Sequence, residues 1–373
     1  MASISLNLNL APSSYGSSAY SSGSDVSGYT SADIAALTVK QVGSLTTTQV
    51  AALDPAAFAG FTTAQIPALS DSSLSVVSSA QLSSLSNDQL GSFKALQLKS
   101  ISTANIASLS TSQISAIKGT QITGLTTDQL QALTTSQIKA VATSAIQAMS
   151  VDQIFGLITA QIAAVGTEQL AALSAKQIAG MEAADVQALG SDQLRSLSTA
   201  QVRAFTSAQA TALTSGQVKA LTTSQVNALS SAQVKALDTV DLAAMGTDQI
   251  QALSTAGVAG LSTDQMTALT SAQFKSMAAT QLATLSNSQI KTVDTVDLAQ
   301  LSTDQLQSLK ASTVAGLTTA QVASLSTNLV QALTTAQVAS LTTDQVVALT
   351  TTQAEKLTAT QVAALTSVQV GAL

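Results

Sequence analysis

Three pairs of carboxylates recur along this chain, each three residues apart: Glu182 and Asp185, Asp238 and Asp241, Asp294 and Asp297. That spacing places both side chains on one face of a helix. Such a pair can act as acid and base, or contribute oxygens to a hard cation. A further acid follows each pair, at Asp192, Asp248 and Asp304. A second use competes with the first, because Asp238 and Asp294 stand where a helix N-cap is expected, and aspartate is a favoured cap. No glycine-rich aspartate loop of the calcium-binding kind accompanies them. Capping is therefore the expected role. No catalytic, cofactor-binding or metal-ligating residue is assigned, and the chain is read as non-enzymatic.

Composition narrows the chemistry further. The 373 residues contain no His, Cys or Trp. Thiol nucleophiles, disulfides, Cys/His zinc sites and the commonest general base are thereby excluded. Only 9% of residues are charged, the net charge is −6, and no basic run exists. A nucleic-acid footprint is accordingly not expected. Thr, Ser and Gln interrupt every apolar stretch well short of the 18 or so residues a membrane span needs.

The elements that position the acids come from an octapeptide. "LTTDQLQA" at Leu125 is followed by "LTTSQIKA" at Leu133. With Leu125 as position one, that position recurs every eight residues from Tyr29 to Leu373, at 44 sites, all apolar. Position six is Ile, Val, Leu, Met or Phe in 41 of 43 octads, with Ala210 and Ala354 as exceptions. Position five is Gln in 32 of 43, and position eight is small. One continuous helix would advance each octad by about 80° and scatter the leucines. One continuous strand would put positions one and six on opposite faces. The chain must therefore bend once per octad.

Local signals locate the bend. Thr or Ser at position two with Gln three residues later is a capping box, and positions one and six are the ends of a hydrophobic staple. Asp54 followed by Pro55 fits an N-cap and first helical residue. Acids concentrate at position four and bases at position seven, nine of 20 and eight of 14, as the helix dipole favours. Each octad is thus expected to form one short helix of about one and a half turns. The predicted fold is an all-α solenoid over 29–373, an elongated stack with a dry Leu/Val/Ile core. The alternative is a β-solenoid bent near glutamine, with glutamine ladders inside. In the helical reading Gln is a capping partner, and the Thr-Thr hydroxyl rows serve capping rather than ice or glycan contact. Pro67 conflicts with a helix, falling at its fifth position, and implies a local kink. A longer period overlies the octad: 232–253 resembles 288–309, and 176–197 aligns one step earlier. The step is 56 residues, a duplicated block of seven octads, or seven octads spanning whole superhelical turns so that the acids stack.

Two resemblances bear on function. "LTTDQVVAL", Leu341 to Leu349, resembles the first helix of TAL-effector repeats. The base-reading loop and second helix have no counterpart and the chain is acidic, so DNA binding is not carried over. Residues 29–373 resemble the low-complexity Leu-Thr/Ser-x-x-Gln-Val-x-Ala tracts of bacterial secreted and surface proteins, which implies export and an adhesive or filamentous setting. Residues 1–28 lie outside the octads and form a Ser/Gly/Tyr-rich leader without a Sec-type signal. They are expected to be flexible, to donate the alternating "SISLNLNL" as a strand, or to serve as an export signal. The expected function is a structural, extracellular or cell-surface subunit that self-assembles end to end. The alternative is a secreted scaffold that binds a host or surface protein along its length.

Overall fold

A computed structural model describes residues 25–372. The described residues are helical throughout, with 42 α-helices of four to six residues, one 3-10 segment and no strand. The fold is an α-solenoid, and the β-solenoid alternative is excluded. The expected strand in "SISLNLNL" lies outside the described residues. The chain divides into two compact units, one up to Met181 and one from Glu182.

Within the first unit, Thr126 to Gln131 shows how one octad folds. The Thr126 N–H donates to Gln129 Oε1 at 2.8 Å, and the Gln129 N–H donates to Thr126 Oγ1 at 3.1 Å. These two bonds satisfy donors that a helix start leaves open. Leu125 and Leu130, the staple pair, are 3% and 0% exposed. Positions one and six meet as a sticky edge; Phe58 and Phe61 pack edge to face with ring centroids 5.3 Å apart. A helix this short has little stability alone, so packing must supply it.

Within each unit, packing comes from the helix three octads along, as where Gly119–Ile122 lies against Thr143–Ala148 and Ser215–Ala220 against Thr239–Ala244. In the first unit Gln129 Nε2 donates to the carbonyls of Leu98 and Ile101, at 2.9 and 2.7 Å. In the second unit Gln225 Nε2 donates to Leu194 and Leu197, at 2.7 and 2.8 Å. The bonded residues are 31 and 28 positions apart. Position eight rests on position three of the preceding turn, 29 residues back, as where Ser340 Oγ donates to the Ala311 carbonyl at 2.8 Å. A Cβ at Gly124 would stand 2.1 Å from the Ala95 carbonyl oxygen, which is why position eight is kept small. One turn therefore takes about 28 residues, or three and a half octads, midway along the observed bond spacings. Two turns make seven octads. The 56-residue period thus returns each residue to the same octad position and nearly the same face, and Asp241 and Asp297 sit two turns apart in the second unit.

Pro67 has the effect expected in kind but not in form. Instead of kinking an α-helix, it leaves a turn at 62–65 followed by a 3-10 segment, Ile66–Ala68. The tighter coil needs fewer i→i−4 bonds, so the missing N–H is tolerated.

Candidate functional site

The carboxylate pairs separate rather than converge. Glu182, Asp238 and Asp294, at position two, are exposed; Asp185 and Asp241, at position five, are buried, and Asp297 is half-buried. Asp192, Asp248 and Asp304 are exposed on outward faces. Among the described residues, no group of three or more ligand-type side chains is placed to hold a metal ion. The ion pair of Arg195 with Asp192, at 3.5 Å, is exposed and contributes little.

The capping expectation holds at one aspartate and fails at another. Asp294 accepts from the Val296 N–H at 3.0 Å. Asp238 makes no side-chain cap. At Glu182 the bond runs the other way along the box, from the Glu182 N–H to Asp185 Oδ2 at 3.1 Å. Asp241 accepts from the Ser215 hydroxyl at 2.5 Å, one turn earlier. Acid strength is perturbed at the start of the repeat. The Thr30 hydroxyl and then its N–H hold the Asp33 carboxyl below the usual range, and the Ser27 N–H and hydroxyl do the same for Asp25. Both are exposed, and both shifts reflect local turn and cap bonds rather than a reacting centre.

The side chain that works hardest is glutamine, which both caps and forms a polar ladder. Its Oε1 closes the capping box while its Nε2 ties the turn to the one before. The ladder imagined for the β-solenoid exists, but it runs from side-chain amide to helix-end carbonyl. A signal for it is present in the sequence. A capping box accepts Glu as readily as Gln, yet Glu never occupies position five. Where an acceptor without a donor stands there it is aspartate, at Asp33, Asp185, Asp241 and Asp297.

Two recesses accompany this framework. A cavity of about 120 Å³ lies beside Asp294 and Asp297. A wider polar groove of about 870 Å³ is bordered by Thr199, Arg203, Thr223, Asn227 and Gln251. Neither gathers a nucleophile with a base. No described helix is long and apolar enough to cross a membrane.

Compared with known proteins, the ALTTAQ repeat matches residues 178–215, 211–239, 234–271, 324–351 and 330–359. Those six letters stand verbatim at Ala332–Gln337, where they run from position eight to position five. No curated protein matches. The chain carries a low-complexity octapeptide-repeat region, similar to the ALTTAQ repeat over the matched stretches.

Proposed function

We propose that the chain is a non-enzymatic structural protein, a filament or surface-appendage subunit that works outside the cell and assembles end to end. The supporting observation is one uncovered turn in the second unit. Position-six residues earlier in that unit are buried, as with Val338 at 0%, but Val362 and Val370 are 49% and 53% exposed. Leu349, Leu357 and Leu365, at position one, are half-buried where Leu341 is buried. The Leu341 carbonyl is reached by Gln369 at 2.6 Å. Such a face is completed by another glutamine-bearing turn. A second copy supplying such a turn makes a heterologous contact, which propagates as an open filament.

Sedimentation velocity across a range of concentrations tests this. The wild type should form larger species as concentration rises, and Val362→Asp with Val370→Asp should remain monomeric while keeping its helical circular dichroism. A wild type that stays monomeric throughout removes the filament reading. The alternative, a scaffold with a lateral partner, draws support from Phe155 and Ile158. They are 55% and 48% exposed at positions the repeat normally gives to polar or small residues.

A further inference from the structure

The carbonyl of a position-one residue takes no backbone N–H anywhere in the described residues. Where the position-five side chain 28 residues later carries a hydrogen, it is the donor, as in most octads; Ala145, Gly257 and Leu329 carry none, and the carbonyls of Ile117, Leu229 and Leu301 go without. Shorter donors still serve: Ser73 reaches the Leu45 carbonyl at 3.2 Å, Thr313 reaches Leu285 at 2.9 Å, and Asn105 reaches Val77. An ionised aspartate has no hydrogen to give. Asp241 compensates by accepting from Ser215, although the Leu213 carbonyl is left without a donor.

Asp297 lacks even that compensation. Ser271 is the counterpart of Ser215, yet no bond joins it to Asp297, and neither the Asp297 carboxylate nor the Leu269 carbonyl has a hydrogen-bond partner. The 120 Å³ cavity opens at this step, lined by Met266, Leu269, Phe274, Val293 and Asp297 among others. The helix here, Thr295–Leu298, has four residues, against five in Asn287–Lys291 before it and six in Thr303–Ser308 after it. Missing bond, missing packing and a short helix coincide in one octad.

We infer that the octad 293–300 is a built-in yield point, the step at which the second unit opens first by local unfolding. Neighbouring turns stay closed because Gln289 holds Leu261 at 2.9 Å and Gln321 holds Val293 at 2.8 Å. Opening exposes the Leu269–Asp297 seam without dissolving the glutamine ladder on either side. Under heat or tension the unit therefore gives way at a fixed place. Local opening of this kind needs less free energy where buried contacts and hydrogen bonds are fewest.

Amide hydrogen exchange on the intact chain reads this directly. After correction for intrinsic rates, the amides of Leu298 and Leu301 should exchange about five- to tenfold faster than those of Ile290, Val293, Val322 and Leu325, as one lost net hydrogen bond implies. Asp297→Gln should slow them to the flanking rate, and Gln289→Asp should create a second fast step at 285–292. Equal rates in the wild type overturn the inference, as does Asp297→Gln leaving the fast step unchanged. Should that variant not fold, the wild-type comparison alone decides.

Discussion

At the scale of single residues, glutamine at position five combines two bonds that one carboxylate cannot make together. Gln225 accepts from the Thr222 N–H at 2.9 Å and donates to two carbonyls one turn back. Gln225→Glu preserves the acceptor, removes the donor and buries a charge against carbonyl oxygens. It should lower stability by about 1–3 kcal/mol, more than Thr222→Ala, which removes a cap contributing about 1 kcal/mol. Denaturant unfolding of both variants checks the order. Asp33 takes the glutamine place in the first octad, bonded by the Thr30 N–H at 2.9 Å and the Thr30 hydroxyl at 2.7 Å. Its carboxyl is held below the ordinary 3.8, so its stabilising effect is present above that value and is lost as pH falls through the folded-state value. Exchange at Ile34 and Ala36 should therefore accelerate below about pH 4, and Asp33→Asn should remove that pH dependence. Capping was legible in these residues because it is local. The second bond of glutamine was not, since it joins residues 28 and 31 apart and depends on how many octads complete a turn.

At the scale of the element, the octad is the unit that the neighbouring turns recognise. Deleting Thr222 to Leu229 leaves every later position five facing a position-one carbonyl 28 residues back. Deleting four residues from the same place sets Gln and Thr against the apolar core. The eight-residue deletion should melt within a few degrees of the wild type. The four-residue deletion should lose most of its cooperative transition, as circular dichroism melts would show. Val226, 0% exposed, tests the core itself. Val226→Asp buries an unpaired charge and should cost several kcal/mol. The helical period, the caps and the staple could all be read from the octad. The 3-10 segment at Ile66–Ala68 could not, because the form a proline defect takes depends on how far the surrounding turns let the coil tighten.

At the scale of the whole molecule, the proposed assembly makes its own demand on the leader. If residues 1–28 take part in the end contact, removing them should shift the sedimenting species toward monomers without changing the melting of the repeat. An unchanged distribution would leave the repeat alone to make the contact. What the sequence by itself determined is whatever recurs every eight residues: helical octads, their capping, and the apolar positions one and six. Each depends on interactions within about five residues, so each copy repeats the same evidence. Tertiary structure alone decided that a turn takes about three and a half octads, that glutamine amides bind successive turns, and which aspartates are buried. Those outcomes depend on the angle between successive helices, which small side chains at position eight and side-chain bonds to carbonyls 25 to 31 residues apart set together. An octad contains no record of that angle until the next turn closes against it.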